Sequence, residues 1–239
     1  MLYKESDGLS NRDIINKCTA HKIMCVHMYI RALEKVASRY APSRVLSFDT
    51  VHVFVALQLM QNRGKTSREA LRRSLALGEG TVKTLVKHMK MHGLVETSNG
   101  GTMMTRKGKG LSSELLSSMP AEMSLPTCSV ALGKFNYAIV VREFSYAIRS
   151  GIEQRDAAIK MGGTGATTLI FKDHKFVMPM STQESLKKDR AVRSMLMEKL
   201  TPVEDDVIII GSADGNEKTA ELAAKNAALF TIFSHEKHR

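Results

Sequence analysis

Residues 66–110, TSREALRRSLALGEGTVKTLVKHMKMHGLVETSNGGTMMTRKGKG, carry the pattern from which the rest of the chain can be read. Thr66-Ser67-Arg68-Glu69 has the form of a capping box, with Thr66 accepting from the Glu69 amide and the Glu69 carboxylate reaching back. The helix it opens places Ala70, Leu71, Ser74 and Leu75 inward and leaves Arg68, Arg72 and Arg73 elsewhere. Leu77-Gly78-Glu79-Gly80 reads as a turn. Thr81–His92 reads as the next helix, because Val82, Leu85, Val86 and Met89 recur at i, i+3, i+4 and i+7. Gly93 ends it. Leu94–Thr97 and Thr102–Thr105 then alternate around Asn99-Gly100-Gly101, which is a strong hairpin signal. Arg106-Lys107-Gly108-Lys109-Gly110 forms a basic flank leading into a helix over Leu111–Ser118.

Working outward, a helix that is apolar on most faces begins at Asp49, a suitable N-cap, and runs to Asn62. Gly64 closes it. Upstream, residues 11–39 read as helical, with Ile14, Ile15, Cys18, Met24, Cys25, Met28 and Leu33 as the apolar positions. Helix, helix, turn, helix, hairpin and helix is the order of a winged helix-turn-helix. Downstream the periodicity changes. Strands are expected at Tyr137–Val141, Thr167–Phe171, Phe176–Met178 and Val207–Ile210, and helices at Ile152–Met161, Lys187–Leu200 and Glu217–Leu229. Pro120 and Pro126 bracket a linker. The expected fold class is therefore α+β, in three parts: an N-terminal helical extension over 1–46, a winged helix over 47–120 and a mixed α+β domain over 125–235.

Charge separates along the same boundary. The chain holds 35 Lys and Arg against 24 Asp and Glu; residues 1–120 hold 19 against 9, and the remainder 16 against 15. Charge spread for solubility would not segregate in this way, whereas a surface that neutralises phosphates would. A B-DNA major groove admits one α-helix, and the second helix of a helix-turn-helix offers its exposed residues to base edges. Thr81, Lys83, Thr84, Lys87 and His88 are the expected DNA-facing residues of that helix. Asn99 and Gly100 at the hairpin tip suit the backbone or minor groove, and Arg68, Arg72, Arg73, Arg106, Lys107 and Lys109 suit phosphates. The expected partner is double-stranded DNA, bound by a homodimer.

Other constellations are weaker. Cys18, His21, Cys25 and His27 lie within ten residues, but one continuous helix cannot wrap four ligands around a zinc ion. His88 and His92 stand at i, i+4 without the glutamate of a zinc-protease motif. Gly162-Gly163-Thr164-Gly165 follows a helix and precedes a strand, the reverse of a phosphate loop. Gly211-Ser212-Ala213-Asp214-Gly215 has the right order but matches no nucleotide motif, and Asp214 or Asn216 suits an N-cap there. Arg155, Ser212 and Asp214 are the candidate contacts for a small-molecule effector. No cofactor, metal or catalytic residue is called for. With three cysteines, no long apolar run and a polar start, the expectation is a cytoplasmic, nucleoid-associated protein with no membrane partner.

Leu77-Gly78-Glu79-Gly80-Thr81-Val82-Lys83-Thr84-Leu85 resembles the turn and recognition helix of an archaeal family of winged-helix transcriptional regulators whose C-terminal domain has no assigned function. Ile152–Lys160, Leu169–Asp173 and Val177-Met178-Pro179 resemble that second domain. The resemblance spans residues 47–232 and implies a DNA-binding transcriptional regulator whose second domain senses a small molecule or mediates dimerisation. It supplies no catalytic residue or ligand. Residues 1–46 lie outside it, which points either to an internal start such as Met28 or to a helix in a dimer interface. Two rivals remain: a metabolic enzyme with a fused winged helix, and a winged-helix interaction module of the transcription machinery.

Overall fold

The computed structural model describes residues 28–38 and 46–234, so Ile14, Ile15, Cys18, His21, Met24, Cys25 and His27 lie outside the described residues. Residues 28–36 are helical (α1), with Ile30, Leu33 and Val36 turned into the core and Met28 exposed, contrary to its expected apolar role. α2, Thr50–Arg63, begins at Asp49, whose carboxylate accepts from the Thr50 amide (2.6 Å). His52 completes the box from the other side, its Nδ1 accepting from the Asp49 amide (2.9 Å). The helix buries Val51, Val53, Phe54, Val55, Leu57 and Met60, which leaves it hardly any solvated face. Such a helix must be central, and α2 packs against three later helices.

α3 (Arg68–Leu75) and α4 (Glu79–Met91) follow, joined through Ala76 in the left-handed conformation (φ 52°). The capping box expected at Thr66 is displaced by one residue. Ser67 caps α3 by accepting from the Ala70 amide (3.1 Å). Thr66 is drawn instead into a backbone bridge with Thr102, N–O 2.8 and 2.9 Å, and its hydroxyl donates to Gly64 O. β1 (Val95–Ser98) and β2 (Gly101–Met104) pair antiparallel, so Asn99-Gly100 is the two-residue turn. α5 spans Arg106–Ser118 with Thr105 as cap, so the basic run forms the first turn of this helix rather than a flank before it.

The second half is a five-stranded antiparallel sheet ordered β3-β4-β7-β5-β6. Its strands are β3 (Glu122–Leu125), β4 (Phe135–Val141), β5 (Gly165–Lys172), β6 (Lys175–Val177) and β7 (Val207–Ala213). β3 lies in the expected linker: Pro120 and Pro126 bound an edge strand that pairs with β4. The helices are α6 (Ile152–Ile159), α7 (Arg190–Leu200) and α8 (Glu217–Ser234). β7 is central and buried along its whole length, which explains its uninterrupted Val-Ile-Ile-Ile run. Its side chains alternate. Ile208 and Ile210 join Leu196 and Leu200 of α7 on one face, while Val207 and Ile209 face α8 and the core that continues into α2. The chain is thus α+β, and one apolar core crosses the boundary between its halves.

α8 lies unusually close to the sheet. A Cβ on Gly211 would stand 2.3 Å from the Ala224 amide nitrogen and 2.7 Å from Ala220 O. Glycine on the strand and Ala220, Ala223, Ala224, Ala227 and Ala228 on the helix are what such an approach demands. No helix among the described residues is long and apolar enough to cross a membrane.

Candidate nucleic-acid interface

The surface of α3, α4, the β1–β2 hairpin and the start of α5 brings together most of the predicted residues. Val82, Leu85, Val86 and Met89 of α4 are buried, and this fixes the rotation of the helix. Lys83, Lys87 and Lys90 are therefore exposed along its outer side, with Thr81 and Thr84 half-buried beside them. The Thr84 hydroxyl donates to Gly80 O (3.0 Å). His88 does not belong to this surface. It is 7% exposed, its Nδ1 lies 2.9 Å from Val36 O of α1, and its ring meets Phe48 edge-on with centroids 5.5 Å apart. The stripe of Val82, Leu85, Val86 and Met89 read from the sequence left His88 out, but the inward face of α4 is wide enough to include it. His92 is partly buried; that burial, and then Lys107, His88 and Lys35, push its pKa down.

On α3, Arg72 and Arg73 are exposed but not independent. Glu69 accepts from Arg72 Nε (2.8 Å) and Nη2 (2.9 Å) and from Arg73 Nε (2.7 Å). Hydrogen bonds from Arg72, then Arg73, hold the Glu69 carboxyl down at about 2. Glu69 thus has a role other than the one expected of it: it orients two guanidinium groups instead of returning to a helix N-terminus.

The Thr66–Thr102 bridge pins the start of α3 against the hairpin and leaves a groove between them. The groove encloses about 450 Å³ and is lined by Ser67, Arg68 and the hairpin residues from Thr97 to Thr102, with no carboxylate among them. The Lys65 ammonium reaches the hairpin tip, where a Cβ on Gly100 would stand 2.5 Å from its Nζ. Asn99 is exposed at that tip. The positive φ falls at Gly101 (128°), where a Cβ would meet Thr66 O at 2.8 Å. Beyond the hairpin, Arg106 and Lys109 are exposed in the first turn of α5. Lys107 is exposed too, but its Nζ donates to His92 O (2.9 Å) at the C-terminus of α4. Gly108 is required by contact, since its Cβ would lie 2.1 Å from Leu94 O. Sequence reasoning left Lys65 and Lys90 out of the DNA-facing set, although helical spacing already turns Lys90 outward.

The expected effector contacts lie near one end of β7, since Gly165, which the Arg155 stem covers, pairs with Ser212, but two of the three are engaged within the fold. Ser212 is fully buried, donating to Asn136 Oδ1 (2.7 Å) and accepting from the Leu132 amide (3.1 Å). Asp214 accepts from the Lys134 amide (3.1 Å), and the N-terminal turn of α8 is capped by Asn216, which accepts from the Thr219 amide (2.9 Å). The Arg155 stem lies over Gly165. Ser212 and Asp214 thus tie the loop before β4 to the end of β7. Among the described residues, no group of three or more His, Cys, Asp or Glu is placed to hold a metal ion.

Comparison with known proteins places the second half first. Residues 132–232 match the sequence model of a family described as a domain of unknown function, DUF4443. Among solved structures, the chain is similar to the hypothetical protein PH0730 from Pyrococcus horikoshii OT3, with a TM-score of 0.62 and 24% identity over 81% of this chain and 96% of that one. At that identity the likeness shows a shared fold. No curated protein matches the chain.

Proposed function

We propose that the protein is a DNA-binding transcriptional regulator whose first half is a winged helix-turn-helix. The observation that carries the reading is the outer side of α4. Lys83, Lys87 and Lys90 stand exposed in one cationic row, on a helix whose apolar stripe is fully committed to the core. A row of this kind fits a major groove, where lysine reaches guanine acceptors or phosphates and Thr81 or Thr84 reaches a thymine methyl. Arg106 and Lys109 at the start of α5, and the carboxylate-free groove between α3 and the hairpin, supply flanking cations for the DNA backbone. The excess positive charge of residues 1–120 points the same way. In a homodimer the two α4 helices would be spaced roughly 34–36 Å apart and would favour palindromic sites.

The test is selection of fragmented genomic DNA by the full-length protein at two salt concentrations, followed by titration of Lys83→Ala/Lys87→Ala on the enriched duplex. A symmetric motif, a steep loss of affinity with salt and at least a tenfold loss in the double variant are expected; roughly one unit of log–log salt slope disappears per phosphate contact removed. Absence of any recovery at low salt would sink the reading.

A further inference from the structure

A pocket of about 200 Å³ lies where the two halves meet, between α1, the start of α2, α6 and α8. Its floor is apolar, formed by Ile30 from the first half and by Ala157, Leu229 and Phe230 from the second, and Phe233 also lines it. Its polar wall comes from both halves. Glu34 comes from α1, Asp49 and Thr50 stand at the N-terminus of α2, and Lys160 follows the end of α6. Asn226 of α8 donates its amide to Ala157 O (2.8 Å) and keeps its carbonyl oxygen as an acceptor. The first half thus contributes two carboxylates, Glu34 and the fixed Asp49, and the second an exposed ammonium, across a floor that favours hydrocarbon. A bound anion would be opposed by Asp49 and Glu34, and a simple cation would leave Lys160 without a counter-charge, whereas a molecule carrying both charges answers both signs. The volume limits that molecule to the size of a single amino acid.

We infer that this pocket binds a small zwitterion with an apolar side chain, an α-amino acid of the leucine or phenylalanine class. Its ammonium pairs with Asp49, its carboxylate with Lys160, and its side chain lies on Leu229 and Phe230. The inference goes beyond the DNA-binding reading and needs no nucleic acid to be tested.

The experiment is thermal unfolding of the full-length protein titrated with L-leucine, L-isoleucine and L-phenylalanine. The two halves of leucine, isoamylamine and 4-methylpentanoate, are titrated in parallel. A ligand of the native state raises the midpoint by about 5 °C when present at a hundredfold excess over its Kd. A saturable rise is expected with at least one amino acid and with neither half-molecule. Lys160→Gln and Asp49→Asn should each weaken that affinity at least tenfold; asparagine still caps α2, so the second variant keeps its fold. No rise with any of the three amino acids overturns the inference, as does an equal rise with isoamylamine or 4-methylpentanoate alone, or unchanged affinity in both variants. DNA selection reads a different surface, so either reading can fail while the other stands.

Discussion

Glu69 sets how the cations of α3 are presented. Three of its hydrogen bonds hold Arg72 and Arg73 in a fixed fan, and as its carboxyl is held at about 2, the fan stays closed through mildly acidic solution. An exposed pair of this kind adds little to stability. On the proposed DNA-binding reading, its effect is on recognition. Glu69→Gln should tighten binding to random duplex a few-fold by removing a negative charge, while reducing preference for the selected motif as the arginines lose their orientation. Competition anisotropy measures both, and an unchanged specificity ratio would show that the fan does not guide recognition. His52 acts on the fold. Burial pushes its pKa below the usual value, against the raising influence of Asp49, so the folded state resists protonating it. The unfolded chain then binds more protons than the native state between that depressed value and about 6.5, and stability rises with pH across this window. Denaturant midpoints should fall on acidification from pH 7 to 5. His52→Asn should flatten that slope in part, because His92 is depressed as well.

At the scale of elements, the contact between β7 and α8 is the tightest test of the architecture. Gly211→Ala would drive a methyl into the backbone of α8, where the nearest atoms belong to Ala224 and Ala220 and cannot rotate away. A cost of about 3 kcal/mol is expected, at the upper end of overpacking penalties, and should be read as a lower urea midpoint with an unchanged slope. Helix and strand positions in this half were legible because their periods are clean: β7 is a continuous apolar run and α8 an alanine-rich one. β3 was not legible. Four residues between two prolines carry no alternation of their own, and their strand conformation comes from hydrogen bonds to β4. Nor was the cap of α3, because Thr66 and Ser67 are chemically equivalent as caps. The hairpin decides between them by taking Thr66 into its bridge.

Across the whole molecule, the halves are joined by a buried polar cluster as well as by the shared core. Lys225 of α8, 1% exposed, donates to Gln58 Oε1 of α2 (2.6 Å) and pairs with Glu122 of β3 (2.9 Å) and Glu221 (2.7 Å). Gln58 in turn donates to Glu122 (3.0 Å), and the ammonium lies 5.6 Å from the Tyr137 ring centroid. Lys218 pairs with Glu221 from the outside. Burial alone would raise the Glu221 pKa, but Lys225 and Lys218 outweigh it and hold the carboxylate charged. Burial, with Glu122 and Glu221 beside it, keeps the Tyr137 hydroxyl protonated. Lys225→Met would leave the partly buried Glu122 without its cation and Glu221 with Lys218 alone, and should cost about 3 kcal/mol. Neutralising the partners in the same chain, with Glu122→Gln and Glu221→Gln, should recover much of that loss. Calorimetry checks a further expectation: the wild type unfolds in one transition, since core and cluster both span the boundary, whereas the lysine variant separates into two.

The amino-acid sequence by itself determined the α+β class, the order of helices and hairpin, and the segregation of positive charge, because local period, turn chemistry and composition act over short stretches of chain. It also determined which side of α4 carries Lys83 and Lys87, since Val82, Leu85, Val86 and Met89 fix the helix rotation. Only the tertiary structure decided the fates of His88 and Ser212, whose side chains are inert or functional according to what faces them. Val36 and Phe48 draw His88 inward, and Asn136 with Leu132 closes around Ser212. The tertiary structure also made the pocket between Asp49 and Lys160 and the cluster around Lys225. Each is assembled from residues far apart in sequence, and a juxtaposition across that separation comes from packing, on which no local pattern bears.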